Sequence, residues 1–210
     1  MPRVLITAFK PYDHWRTNAS WLALVELTKH LPSTAEVTTR LYAVDYAQLK
    51  ERLAEDVRGN FDYVLHLGQA PGSTCVQLEK IGLNVAGPVG RESVEPPPLV
   101  ADGPVAYQSG LPLAEWAEIL RNEGIPATVS YYAGAYLCNA ALYLTHHYVA
   151  QNGYKSKAAF VHLPLDVTQA AQEQPGAPSM PAALSAHAVR LILQRLGAVQ
   201  SSGSSTSSAV

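Results

Sequence analysis

The chain has 210 residues, with 15 Lys and Arg residues against 17 Asp and Glu residues and a formal net charge of -2. This balance argues against electrostatic binding of nucleic acid or of a membrane, because both need a basic surface. Hydrophobic residues make up 48% and charged residues 15% of the chain, a composition that excludes intrinsic disorder. We therefore predict one folded domain, and the low charged fraction is compatible with a surface covered by a partner subunit.

The location of the protein is indicated by what its sequence lacks. No apolar run reaches the ~18 residues of a membrane-spanning helix, and the first residues form too short an apolar run for a signal peptide. The two cysteines, Cys75 and Cys138, are too few for a disulfide framework or a zinc site. These features predict a cytoplasmic protein with free thiols and no membrane contact.

Strand-like and helix-like patterns alternate along the chain. The predicted strands are Arg3–Phe9, Glu36–Tyr42, Phe61–Leu67, Thr74–Val85, Ala127–Tyr132 and Lys157–Leu163. The predicted helices run from a cap at Asn18 or Ser20 toward His30, over Tyr46–Val57, Leu113–Asn122 and Ala135–Gln151, and from Pro178 or Ser179 to Leu196. This alternation predicts a single α/β domain over residues 1–198, with a largely parallel twisted sheet and helices on both faces. Functional sites of such folds gather at the carboxyl ends of the strands.

Two segments are predicted to be irregular. The stretch Ala86–Pro104 is rich in Gly and Pro, and a loop of this length inside a domain is usually functional or mobile. Residues 199–210 are rich in Ser and show no periodicity, so we expect a disordered tail there.

Cys138 is a candidate nucleophile. It follows a predicted strand and lies at the start of a predicted helix. The partial positive charge of a helix N-terminus favours the thiolate, which is the reactive form of cysteine. Position alone leaves open that Cys138 is a small buried hydrophobe, as many free cysteines are.

A histidine and two carboxylates are candidates to support that cysteine. His162 ends a predicted strand beside a proline, where it can act as the base of a Cys–His pair. Glu79 and Asp166 compete as the carboxylate that orients this histidine. Among the other histidines, His66 lies in an apolar strand and is expected in the core, while the adjacent pair 146–147 is a poor metal site because neighbours on a helix face different directions.

The segment Gly68–Gly72 follows another predicted strand. It lacks the Gly-Lys-Ser/Thr and Gly-x-Gly-x-x-Gly patterns of nucleotide-binding loops, so nucleotide binding is weakly supported. Exposed backbone amides in this segment still suit a small polar ligand.

Taken together, these motifs resemble those of pyroglutamyl peptidase I (pyrrolidone carboxyl peptidase), a family of cytosolic cysteine peptidases, over about residues 3–196. The similar segments are Leu5–Tyr12, Asn18–Trp21, His66–Gly72, Leu78–Lys80 with Asn84, Gly103–Leu113, Ala133–Asn139, and Phe160–Pro164 followed by Pro178–Met180. The order of the candidates along the chain, Glu then Cys then His, also matches the family.

The resemblance implies a function and a role for each site residue. Peptides with an N-terminal pyroglutamyl residue would be the substrates, and no metal or cofactor would be needed. Cys138 would be the nucleophile, His162 the acid–base and Glu79 its orienter. The backbone amide of Cys138 would help to bind the oxyanion. The implied pocket residues are Phe9 and Tyr12 flanking the lactam ring, Tyr136 and Leu137 lining the pocket, and the backbone of Gln69 pairing with the lactam amide and carbonyl. Family members often form homodimers or homotetramers.

The sequence departs from the family pattern at three places. Ala8 replaces the usual glycine, and Tyr12 replaces the usual second phenylalanine. Arg91 lies two residues later than the arginine that supports the active site in many bacterial members, and it is the candidate to support the oxyanion or the substrate in that arginine's place. A descendant that binds pyroglutamyl peptides without turnover is therefore an alternative. A nucleoside phosphorylase-like enzyme on a similar scaffold is a third, supported by fold analogy alone.

Overall fold

The protein is described here by a computed structural model, which covers residues 1–87 and 95–203. Arg91 therefore lies outside the described residues. The strands are β1 (Arg3–Phe9), β2 (Glu36–Tyr42), β3 (Tyr63–Gln69), β4 (Val76–Glu79), β5 (Ile81–Leu83), β6 (Ala106–Gln108), β7 (Ala127–Ser130) and β8 (Lys157–Leu163). The helices are α1 (Ala19–Thr28), α2 (Tyr46–Val57), α3 (Leu113–Asn122), α4 (Leu137–Asn152), α5 (Val167–Glu173) and α6 (Ala182–Gly203).

The main sheet is largely parallel, as predicted. In the described part of the chain its strand order is β2-β1-β3-β8-β4-β7. β2, β1, β3 and β8 are parallel neighbours, whereas β4 pairs with β8 in antiparallel orientation and with β7 in parallel. The central strands are continuous apolar runs because both of their faces are covered by helices. The prediction of a single α/β domain with a mostly parallel sheet is confirmed.

Helices cover both faces of this sheet. One face packs against α1, α3 and α6, with Leu24, Trp116 and Leu193 in the apolar core. The other face packs against α2 and α4, with Leu53 and Phe160 in a second core cluster. Within the described residues, no helix combines the length and the apolar character that crossing a membrane requires.

The predicted strand Thr74–Val85 is wrong as a single element, because the chain changes sheets at Lys80. The Lys80 N–H donates to the carbonyl of Ser130 in the main sheet, at 2.7 Å. The Lys80 carbonyl accepts from the N–H of Ser109 beside the small β5–β6 sheet, at 2.9 Å. One residue thus joins two sheets, and no local pattern in the sequence marks this change.

Further differences lie at short elements and at helix ends. β6 and α5 were not predicted, because each is too short to show a periodic pattern. The last helix continues beyond the predicted end at Leu196 to Gly203, and so includes the first residues of the segment expected to be a tail. Residues 204–210 lie outside the described residues.

Candidate active site

Strand register places three of the candidate positions on one face of the sheet. Gly68 of β3 is aligned with His162 of β8, and Glu79 of β4 is aligned with Phe160, two residues before His162. Aligned residues share a face, and positions two apart along a strand share it as well. Glu79 is therefore the diagonal neighbour of His162, within reach of a long side chain.

Glu79 and His162 form a buried hydrogen-bonded pair. The Glu79 Oε1 atom lies 2.8 Å from His162 Nδ1. Glu79 is 0% exposed and His162 is 7% exposed, so water competes little for this contact. Asp166, the competing carboxylate, instead caps α5 by accepting from the N–H of Thr168 at 2.9 Å. The structure thus gives His162 the partner Glu79 and not Asp166.

Cys138 approaches the same histidine from above the sheet. It is the second residue of α4, whose N-cap residue Tyr136 makes no side-chain capping bond. The Cys138 sulfur acts on His162 strongly enough to be the largest cause that raises the pKa of this imidazole. Burial disfavours the charged imidazolium, but the Cys138 sulfur and the Glu79 carboxylate outweigh it and raise the pKa of His162 to about 9. The three candidate groups therefore meet, and the imidazole is biased toward its protonated form.

Asn139 fixes the position of the helix turn that carries Cys138. Its side chain is fully buried and bonds the backbone of β5, with Oδ1 accepting from the Leu83 N–H at 2.7 Å and Nδ2 donating to the Leu83 carbonyl at 2.9 Å. The same Nδ2 donates to the Val85 carbonyl at 3.2 Å. Sequence reasoning assigned no role to Asn139, because its partners lie more than 50 residues away along the chain.

Gly68 leaves the space in which the sulfur sits. A Cβ atom at this position would overlap the ring of Phe160, and it would stand 3.2 Å from Cys138 Sγ. The Phe160 ring in turn packs against His162, with ring centroids 4.6 Å apart. Glycine is therefore required where β3 passes beneath the start of α4.

Gln69 and Tyr12 lie beside this centre. The buried Gln69 carboxamide accepts at Oε1 from the Ala19 N–H at 2.8 Å and from Gln169 Nε2 at 2.7 Å. Tyr12 is half-buried, and it packs against the cluster of Trp15, Leu165 and Ala170. Burial, with the negative charge of Cys138 as the next cause, raises the pKa of Tyr12 to about 12, although the Gln69 amide acts in the opposite direction.

The remaining candidate pocket residues differ in exposure. Phe9 is 3% exposed and packs against Tyr42 and Phe160, with ring centroids 6.2 and 6.3 Å away. Leu137 is 2% exposed and belongs to the same core cluster. Tyr136 is half-buried and meets Tyr46 edge to face, with centroids 5.4 Å apart. Phe9 and Leu137 thus lie in the core, whereas Tyr12 and Tyr136 keep part of their surface accessible.

Two further observations bear on the predicted chemistry. His66 is fully buried between the hydroxyls of Thr7 and Thr145, at 2.7 and 2.8 Å, so it lies in the core as predicted. Over the described residues, no group of three or more His, Cys, Asp or Glu side chains is arranged to hold a metal ion.

Comparison with known proteins identifies the family. A model of the pyroglutamyl peptidase family matches residues 2–196. The chain is 35% identical over 201 residues to the pyrrolidone-carboxylate peptidase of Pectobacterium carotovorum, covering 93% of each chain. It is 34% identical over 199 residues to the enzyme of that name from Streptomyces coelicolor, covering 92% of this chain and 91% of the relative.

Solved structures agree with the sequence relatives. The pyrrolidone carboxyl peptidase of Fervidobacterium islandicum AW-1 superposes with a TM-score of 0.87 at 34% identity, covering 93% of this chain and 98% of that one. A mutant pyrrolidone carboxyl peptidase from Pyrococcus furiosus superposes with a TM-score of 0.84 at 28% identity, covering 95% and 99%. The chain belongs to the pyroglutamyl peptidase family, a family of hydrolases.

Proposed function

We propose that this chain is a cysteine peptidase that hydrolyses the bond after an N-terminal pyroglutamyl residue of peptides. Cys138 is the nucleophile, His162 is the general acid and base, and Glu79 is the positioning residue for His162. The observation that supports this assignment is the buried imidazole held between the Cys138 thiol and the Glu79 carboxylate. A nucleophile bonded to a base that is itself oriented by a third group is the arrangement of covalent acyl-transfer catalysis.

Hydrolysis of the peptide proceeds in two steps, the acylation of Cys138 and the hydrolysis of the resulting thioester. The Cys138 sulfur attacks the carbonyl carbon of the pyroglutamyl residue, and His162 donates a proton to the amine that leaves. Water, deprotonated by the same imidazole, then attacks the thioester, releases pyroglutamate and returns the proton to the sulfur. The N–H of Cys138 lies in the first turn of a helix whose N-cap side chain makes no capping bond among the described residues, and we assign it as a donor to the oxyanion of each tetrahedral intermediate.

The substrate ring needs both apolar walls and polar partners, because a lactam is flat, neutral and carries one donor and one acceptor. We assign the walls to Tyr12 and Tyr136, backed by Phe9 and Leu137. The backbone of Gln69 supplies the polar partners. The N–H of Ala70 bonds Leu163 of β8, so the peptide groups of Gln69 face the opposite neighbour, β1, whose register with β3 ends at His66.

Hydrolysis of pyroglutamyl-aminocoumarin tests the proposal directly. Wild-type protein is expected to release the fluorophore and to lose this activity after treatment with iodoacetamide. Cys138→Ala removes the nucleophile, so its kcat should fall to background. Cys75→Ala is the matched control, because Cys75 is the other free and partly accessible thiol. Equal turnover by Cys138→Ala and wild type would overturn the assignment.

Measuring ligand binding and hydrolysis on the same wild-type protein distinguishes a peptidase from a binding protein. Folded wild type that is stabilised by a pyroglutamyl ligand yet shows no hydrolysis would replace the proposal with the non-catalytic alternative. Measurable thiol-dependent turnover would end that alternative.

A further inference from the structure

The helix turn that carries Cys138 lacks the usual support of a helix N-terminus. Tyr136 is the N-cap residue of α4, and its side chain makes no capping hydrogen bond within the described residues. A capping side chain would occupy N–H groups of the first turn, which are the groups that can bind an oxyanion. The proposed chemistry therefore needs an uncapped turn, and the position of this turn must be fixed by contacts from other parts of the fold.

A neighbouring segment, residues 83–87, supplies these contacts on both sides of the turn. On the C-terminal side, the Asn139 carboxamide bonds the backbone of this segment. On the N-terminal side, the Gly87 N–H donates to the carbonyl of Ala135 at 2.7 Å. The approach is so close that a Cβ atom at Gly87 would stand 3.0 Å from the Cβ atom and the carbonyl oxygen of Ala135. Cys138 lies between the two points of attachment.

Tyr46 completes the N-terminal attachment from a third element. It is the first residue of α2, and its hydroxyl donates to the Gly87 carbonyl at 2.7 Å. The Ala135 carbonyl oxygen lies 3.4 Å from the same hydroxyl. Gly87 and Ala135 are thus joined both to each other and to one phenol. Burial raises the pKa of Tyr46, so its hydroxyl keeps its proton and remains a donor over the pH range of an enzyme assay.

The ring of Tyr46 supports the proposed wall of the substrate pocket. It meets the Tyr136 ring edge to face, with centroids 5.4 Å apart and an angle of 88° between the planes, which is a favoured arrangement of aromatic rings. Tyr46 also packs against the core cluster that contains Leu137 and Phe160. The hydroxyl therefore holds the backbone that leads into α4, whereas the ring holds the side chain of Tyr136.

We propose that Tyr46 is a positioning residue of the candidate active site, which holds Cys138 through the backbone bonded to its hydroxyl and holds the Tyr136 wall through its ring. This inference rests on the proposed function, which assigns both the nucleophile and the pocket. Tyr46 acts through Gly87 and Tyr136 and not on the substrate. Because its hydroxyl and its ring hold different parts of the site, their removal should change different kinetic constants.

Two substitutions separate the hydroxyl from the ring. Tyr46→Phe removes the bond to Gly87 and keeps the ring, so kcat for pyroglutamyl-aminocoumarin should fall about tenfold with little change in KM, because a small displacement of a nucleophile is costly. Tyr46→Leu also removes the ring from Tyr136, so it should show the same fall in kcat together with a KM raised roughly fivefold. Tyr154→Phe is the matched control and should keep both constants, because Tyr154 packs against the same core cluster beyond the other end of α4.

Two measurements without turnover test the same assignment. In the Cys138→Ala protein, Tyr46→Leu should weaken the binding of 2-pyrrolidinone roughly fivefold in an NMR titration, whereas Tyr46→Phe should leave it unchanged. In the Cys75→Ala protein, Cys138 is the remaining thiol. There Tyr46→Phe should slow alkylation by iodoacetamide about threefold, because a loosened first turn stabilises the thiolate less.

A role of Tyr46 in stability alone predicts a different result. Both variants would then lower the free energy of unfolding, while their folded protein kept the kcat, the KM and the alkylation rate of the Tyr154→Phe control. That result would overturn the inference. Failure of the proposed function is distinct, because wild type would then show no turnover, and the alkylation rates and lactam affinities would still decide the role of Tyr46.

Discussion

At the scale of single residues, opposite influences act on the pKa of one imidazole, that of His162 in the candidate site. His162 is almost fully buried, which disfavours its charged form, yet its contacts with the Cys138 sulfur and the Glu79 carboxylate raise its pKa to about 9. Glu79 has no exposed surface, so its charge acts on the imidazole with little screening by water. The carboxylate thus both orients the ring and stabilises the imidazolium beside the sulfur.

Replacing Glu79 with Gln should separate these two effects. The amide keeps nearly the same shape but removes the negative charge, so the pKa of His162 falls. The alkaline limb of kcat/KM, expected near pH 9 in wild type, should move to lower pH, and kcat/KM should fall roughly 10²-fold. A pH–rate profile measures both changes, and the limb is assigned to the coupled Cys138–His162 pair rather than to one residue.

A matched variant tests whether the loss of a carboxylate elsewhere in the protein changes the pH profile in the same way. Glu118→Gln removes an exposed acid from α3 and should leave the pH profile unchanged. An alkaline limb that stays in place in Glu79→Gln would mean that Glu79 does not set the protonation of His162.

Site residues differed in how far the sequence could predict them. Cys138 and His162 mark the start and the end of periodic elements, so their positions in the fold follow from local patterns. The choice between Glu79 and Asp166 depended on strand pairing, because Glu79 is 83 residues from His162 along the chain. The pairing of Gln69 with Gln169 spans 100 residues and has no local signal at all.

At the scale of elements, the site exists because α4 begins directly above the end of β3. Gly68 of β3, Phe160 and His162 of β8, and Cys138 of α4 occupy adjoining volumes. Tight packing of this kind tolerates added atoms poorly, since the neighbouring groups must move to admit them.

Gly68→Ala tests this close approach. The added methyl group would overlap the Phe160 ring and press on the Cys138 sulfur. We expect the free energy of unfolding to fall by about 1–3 kcal/mol, a usual cost of overpacking. We also expect kcat/KM to fall at least tenfold, because a small displacement of reacting groups is costly for catalysis. Urea denaturation and the aminocoumarin assay measure the two effects.

Gly110→Ala is the corresponding control. A Cβ atom at Gly110 would meet nothing within 4 Å, so both stability and activity should stay near wild type. A Gly68→Ala protein that matches this control in both assays would show that the site has room that the structure does not indicate.

Long periodic elements were predicted better than short ones. The bounds of β1, β2, α2, α3 and β8 agree with the sequence patterns, because each is a continuous apolar or amphipathic run of seven or more residues. The segment after Thr74 was predicted incorrectly because its apolar pattern continues through Lys80 while the hydrogen-bonding partners change. Sheet membership is a tertiary property, so the local pattern could not show it.

At the scale of the whole molecule, two histidines outside the candidate site, the fully buried His66 and the half-buried His146, link folding to pH. His66 lies between β1 and α4, bonded to Thr7 and Thr145, and burial lowers its pKa to about 3. Burial also lowers the pKa of His146 to about 4, and its buried Nε2 atom has no hydrogen-bond partner among the described residues. The ring of Tyr107 stacks on His146 at a centroid distance of 6.0 Å. Both imidazoles are therefore neutral in the folded protein over most of the acid range.

These histidines should destabilise the fold as the pH falls below about 6.5, the pKa of histidine in an unfolded chain. In that range the unfolded state binds protons that the folded state cannot, so stability is lost between pH 6.5 and about 4 for His146 and between pH 6.5 and about 3 for His66. Each group should cost about 2 kcal/mol at pH 5 relative to pH 7. The raised pKa of His162 acts in a different range, since its stabilising contribution is complete below pH 6.5 and declines toward pH 9.

Urea unfolding at pH 5 and pH 7 measures how the free energy of unfolding depends on pH. The His146→Phe variant isolates the contribution of His146 from that of His66. The phenylalanine keeps a flat ring against Tyr107 and cannot bind a proton, so the loss of stability between the two pH values should shrink by about 2 kcal/mol. Removing the unpartnered Nε2 group should also make the variant at least as stable as wild type at pH 7. His30→Gln changes an exposed histidine and should keep the wild-type dependence. The same pH dependence in His146→Phe as in wild type would leave His66 and the carboxylates as the source of acid instability, because a residue that cannot titrate cannot contribute to the slope.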